Sequence, residues 1–122
     1  MTLHSETDIY RSVTDLQKFA LRAAVNFRRD AKPILGARLV DETLWMSVLV
    51  RRANIARDAD KVPHLEELLE QLEITQSLLR LGRDLDLIPN NTFAQSVPLT
   101  ASIGKQAIAL RNHFAPAPSP VT

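Results

Sequence analysis

Residues 64–95, HLEELLEQLEITQSLLRLGRDLDLIPNNTFAQ, combine the longest clean periodicity of the chain with a short punctuated turn and the opening of the next segment. Leu65, Leu68, Leu72, Thr75, Leu79 and Gly82 recur at three- and four-residue steps, which puts their side chains on one face of an α-helix. A second stripe, Ile74, Leu78, Leu81, Leu85 and Ile88, runs beside the first. Glu66, Glu67, Glu70 and Glu73 fill the outer side of the first turns, where carboxylates suit the positive end of the helix dipole. A helix with two apolar stripes needs two partners. The segment therefore predicts a helical bundle, and its second stripe predicts self-association.

Composition agrees with that class. A chain of 122 residues is one domain by size. Its 45% apolar and 24% charged residues are those of a soluble globular protein, and three glycines with 5% aromatics argue against a turn-rich β architecture. The absence of cysteine removes disulfides, thiolate nucleophiles and cysteine metal sites together. The opening MTLHSETDIYRS has neither a basic leader nor an apolar run, so a cytoplasmic location is expected. The most apolar run, residues 44–50, is interrupted by Ser47 and falls far short of the ~20 residues of a membrane helix. Formal charge is +1 overall but uneven: +3 over residues 1–38, zero over 39–62, −4 over 63–88 and +2 over 89–122. Such a gradient predicts one basic and one acidic side, able to steer an anion or another subunit.

Outward from the central stretch, the chain divides into four predicted helices. Ser5-Glu6-Thr7-Asp8 resembles a capping box, and Ile9, Val13, Leu16, Ala20, Ala23 and Phe27 continue at helical spacing, giving a helix over about 5–29 with a basic stripe of Arg11, Lys18, Arg22 and Arg29. Pro33 breaks it. A second helix over about 36–58 directs Val40, Leu44, Val48, Arg51 and Ile55 to the core, with Trp45, Met46, Leu49 and Val50 apolar on its other sides. Pro63 suits the first position of a third helix, over about 63–86. Asn91-Thr92 then caps a fourth, over about 91–114, with Phe93, Val97, Ala101, Gly104 and Ile108 as its stripe. Gly104 is placed to pair with Gly82, and Pro98 predicts a kink or a late start. The tail at 115–122, APAPSPVT, reads as disordered. The expected fold is all-α, an antiparallel up-down-up-down four-helix bundle assembled into a ring-shaped homo-oligomer. Its core is expected to hold Leu16, Ala20, Leu44, Val48, Leu68, Leu72, Leu79 and Ile108. Trp45, Met46, Leu49, Val50, Ile74, Leu78 and Leu81 exceed what one small bundle can bury and are assigned to the oligomer interface.

Residues that could carry a reaction are missing. A di-iron bundle needs Glu-x-x-His on two helices with two more inward glutamates, whereas His64-Leu65-Glu66-Glu67 has the reverse order, once. Arg111-Asn112-His113 lacks the Arg-to-His spacing of helical ribonucleases, and no phosphate loop or nucleophile elbow occurs. The chain is read as a non-enzyme with neither cofactor nor metal. What remains is basic clustering: Arg28, Arg29, Lys32 and Arg38 around the first turn, and Arg51, Arg52 and Arg57 along and after the second helix, with Lys61 beyond. The first seven are the candidates for contacting phosphates of RNA or DNA.

The segment LEELLEQLEITQSLLRLGRDLDLIPNNTFAQ followed by SIGKQAIALRNHF resembles the second half of a small bacterial four-helix-bundle family, which includes the ribosomal RNA intervening-sequence proteins and Avd, the accessory variability determinant of diversity-generating retroelements. Its most specific parts are Leu78 to Ile88 followed by a capped helix, and Ile103-Gly104-Lys105. Where the intervening-sequence branch has Ile-Ala-Glu-Gly, this chain has Ile55-Ala56-Arg57-Asp58, which favours the Avd-like branch. That resemblance implies a barrel-shaped homopentamer that binds nucleic acid and a reverse transcriptase, assisting mutagenic cDNA synthesis without a catalytic role. The residues themselves leave open a second class, a homo-oligomeric protein-interaction scaffold whose arginines are solvated or paired.

Overall fold

The computed structural model describes residues 4–117, and within them the chain is helical and free of strands. Four helices, α1 (His4–Val25), α2 (Ala37–Ile55), α3 (Lys61–Asp84) and α4 (Asn90–Phe114), pack into a bundle. α1 and α3 each lie against both α2 and α4 and so occupy one diagonal. Adjacent helices run antiparallel. Gly36 at the start of α2 sits against Ala24 near the end of α1, Lys61 at the start of α3 reaches Ala53 near the end of α2, and Gln106 of α4 meets Ser12 of α1.

α1 ends at Val25, four residues before the expected Arg29. The Asn26 side chain donates to the Arg22 carbonyl at 3.0 Å, taking an acceptor that the ladder would otherwise use, and Phe27 turns inward to near-complete burial. A π-helical turn, Lys32–Gly36, then leads into α2, with the Gly36 N–H reaching the Ala31 carbonyl at 3.2 Å. Pro33 has no N–H to donate, and the wider turn accommodates that missing donor.

α3 closes with a two-bond cap. The Leu87 N–H donates to Gly82 O at 2.8 Å and the Asp86 N–H to Arg83 O at 3.0 Å, with Asp86 in the left-handed region at φ 59°. The chain then folds Ile88 back over Gly82, where an added Cβ would lie 2.8 Å from Ile88 Cδ1. Gly82 therefore serves its own helix end. Gly104 faces Leu72 instead, at 3.3 Å from an added Cβ, so the expected glycine pair does not form. α4 runs unbroken through Pro98, and both Pro98 and Ala94, whose carbonyl loses its helical donor there, are exposed residues.

The first stripe of α3 is buried as its spacing predicts, and Leu16 and Ala20 of α1 join it. In α2 the buried face is Leu39, Thr43, Met46, Leu49, Val50 and Ala53, while Leu44 is 56% exposed and Val48 half-buried. α4 buries Ser96, Thr100, Ile103, Ala107 and Leu110 and leaves Ile108 43% exposed. Leu44, Val48 and Ile108 therefore do not belong to the core proper. Buried hydroxyls explain the shift of phase. Thr43 Oγ1 donates to Leu39 O at 3.1 Å, Thr100 Oγ1 to Ser96 O at 3.2 Å and Ser96 Oγ to Phe93 O at 2.6 Å. A hydroxyl satisfied by its own helix is inexpensive to bury, so these polar letters stand on the inner face. The tail expectation falls largely on residues 118–122, outside the described residues; Ala115 to Ala117 are exposed and non-helical. No helix among the described residues is long and apolar enough to cross a membrane.

Candidate nucleic-acid interface

All seven cations assigned to nucleic acid are exposed, but α2 divides them. Arg28, Arg29, Lys32 and Arg38 gather where α1 turns into α2, and Arg51, Arg52 and Arg57 at the other end of α2. At 1.5 Å rise per residue, Arg38 and Arg51 are about 20 Å apart along the axis. Three of the seven have an internal partner. Arg28 Nε lies 3.7 Å from Asp30 Oδ1, both highly exposed, a pair worth little. Arg38 pairs with Glu42, whose other carboxylate oxygen accepts a hydrogen bond from the buried Gln71 amide. Arg52 stacks over the Trp45 ring, 4.9 Å from its centroid. The side chains of Arg29, Lys32, Arg51 and Arg57 make no hydrogen bond or ion pair among the described residues.

Lys61 is a different kind of residue. It is buried, and its Nζ donates to Ala53 O at 2.8 Å and to Asn54 O at 3.4 Å while lying over the Phe114 ring. A cation on the last carbonyls of α2 satisfies orphan acceptors and meets the negative end of that helix's dipole. Lys61 thus holds the fold together and drops out of the basic surface. Sequence reasoning missed this role, since nothing local distinguishes Lys61 from its exposed neighbours.

The oligomer-interface set also divides. Met46, Leu49 and Val50 are essentially fully buried inside the subunit, with Met46 Sδ 3.6 Å from Thr75 Oγ1, so they cannot reach a second copy and are withdrawn from that set. Trp45, Ile74 and Leu81 are exposed, and Leu78 is half-buried against the core. The Glu42–Gln71 bond ties α2 to α3, and Trp45 and Ile74, each three residues on from one of its partners, flank it on the same outer seam. Among the described residues no three His, Asp or Glu side chains come together as a metal site would require. The chain matches no family model, no curated protein and no solved structure.

Proposed function

We propose that the chain is a non-catalytic nucleic-acid-binding accessory protein of the Avd type, a cytoplasmic homo-oligomer, pentameric by that resemblance, that works beside a reverse transcriptase. The observation that supports this reading is the exposure of Arg29, Lys32, Arg51 and Arg57, without a hydrogen bond or ion pair among the described residues, around the two ends of one helix. An unpaired exposed cation gains most from an external anion, and a phosphate backbone offers one every few ångströms, releasing counterions as it binds. Net charge is only +1, but assembly repeats these ends around one surface, so the local field exceeds what one subunit carries.

The expected behaviour is weak, sequence-independent retention of structured RNA or duplex DNA in a filter assay, falling steeply with salt. Replacing one phosphate-contacting cation, in Arg29→Ala or Arg51→Ala, lowers affinity evenly across sequences and flattens the salt slope by about 1. Absence of retention at low salt, or full retention by a chain lacking all four free cations, refutes the reading. A second reading, a protein-interaction scaffold without nucleic-acid binding, is favoured by Arg38 and Arg52, which Glu42 and Trp45 already engage. Under it, pull-down with the neighbouring gene product succeeds while RNA retention fails.

A further inference from the structure

Outside the basic ends, the outer faces of the diagonal helices α1 and α3 carry net charges of opposite sign. The outer face of α1 carries Arg11, Lys18 and Arg22, all exposed and without an ion pair among the described residues. The outer face of α3 carries Glu66, Glu70 and Glu73, likewise exposed and unpaired. On α1, Lys18 and Arg22 are four residues apart, with Asp15 within four residues of both Arg11 and Lys18. On α3, Glu66, Glu70 and Glu73 repel at four- and three-residue steps, with Arg80 seven residues beyond Glu73, so the α1 face keeps a net positive and the α3 face a net negative charge. The two helices are diagonal, so their outer faces point away from each other and cannot neutralise one another within one subunit.

Both faces are also incompletely covered apolar surfaces. Leu21 and Val25 stand exposed on α1, and Ile74 and Leu81 on α3. The order of features along the two helices is the same. α1 and α3 both run away from the end of the bundle where Ile9 and Leu65 line one small apolar cavity beneath Lys61. Counting from that shared level, Arg11 stands beside Glu66 and Glu70, Lys18 beside Glu73, and Val25 level with Leu81. Asp15, exposed between Arg11 and Lys18 on this face and toward the side where Ser12 meets Gln106 of α4, partly offsets them.

We propose that the outer face of α1 on one copy docks, in parallel and level register, against the outer face of α3 on a second copy of this chain. Arg11 and Lys18 then meet Glu66, Glu70 and Glu73, and Leu21 and Val25 meet Ile74 and Leu81. The two contacting surfaces are different, so the interface is heterologous: each copy keeps one unused face of each kind, and growth continues until a ring closes or a filament extends. A two-fold dimer is excluded by this pairing. The inference rests on the self-association proposed above and is independent of the nucleic-acid reading, since none of the seven candidate cations takes part.

Charge exchange tests it on the full chain. In sedimentation velocity at micromolar concentration, wild type is expected to assemble, with association weakening as salt rises. Arg11→Glu with Lys18→Glu, and separately Glu70→Lys with Glu73→Lys, are each expected to give a folded monomer, verified by circular dichroism. An equimolar mixture of the two variants is expected to associate, and the chain carrying all four substitutions to recover the wild-type species, because both faces have exchanged sign. Wild type sedimenting as a monomer overturns self-association altogether. An oligomer that either double variant leaves unchanged, or a folded four-substitution chain that stays monomeric, overturns this pairing alone. RNA retention by the recovered assembly is read separately, so its absence refutes the nucleic-acid reading and leaves the pairing standing.

Discussion

α2 and α3 are packed side by side and bridged by the Glu42–Gln71 bond, yet they distribute apolar residues in opposite ways. Over its first half α3 is sharply two-sided, with Leu65, Leu68 and Leu72 buried and Glu66, Glu67, Glu70 and Glu73 exposed. α2 is apolar on nearly every side through its middle, so that burying Met46, Leu49 and Val50 still leaves Leu44 and Trp45 at the surface. A sharply amphipathic helix is oriented by one core. A helix that is apolar all round is oriented by whichever neighbours fit best, and its leftover faces remain available for further contacts.

Truncation inside the shared core gives the largest effect. Leu72→Ala in α3 and Met46→Ala in α2 are each expected to cost about 2–5 kcal/mol in urea unfolding, because both side chains leave cavities in close packing. If Met46→Ala were neutral, α2 would have to be rotated from the orientation described. An intermediate effect belongs to the joint between the two helices. Lys61→Met keeps much of the apolar stem but leaves the Ala53 carbonyl without its donor, for about 1–3 kcal/mol, seen as a lowered thermal midpoint. The smallest belongs to the outer face of α2. Leu44→Ser is expected to change the stability of the isolated subunit by less than about 0.5 kcal/mol. A loss of core size there, measured at concentrations where the chain assembles, would place Leu44 under a neighbouring copy.

The contrast between these helices also accounts for what the amino-acid sequence made legible. The third and fourth helices are found within two residues of their predicted limits because their ends carry strong local signals, Pro63 at one start and Pro89-Asn90-Asn91-Thr92 at the other. The α3 stripe has the right phase because glutamates mark the opposite side. No polar side marks α2, and satisfied hydroxyls at Thr43, Ser96 and Thr100 hide the inner faces of α2 and α4 behind polar letters. The first helix ends short of its apolar period because Phe27 keeps that period while lying beyond the helix, in a turn stabilised by Asn26. Of the candidate interface, exposure of the seven cations was legible from composition and spacing. Their division between two ends was implicit in the predicted length of the second helix, but the pairing of Arg38 with Glu42 and the burial of Lys61 depend on which helices become neighbours.

Trp45 is the sole tryptophan of the chain, and it lies partly exposed on the outer seam with the Arg52 guanidinium stacked over its ring. The protein is therefore its own optical probe. Tryptophan emission comes from a single indole whose colour reports the polarity of one place on the α2–α3 surface and whose brightness reports the cation above it. A partner that covers this seam moves the emission toward the blue, whereas one that engages Arg52 from the far side alters intensity with little change of wavelength. One unlabelled cuvette thus tells a covered seam from a recruited arginine.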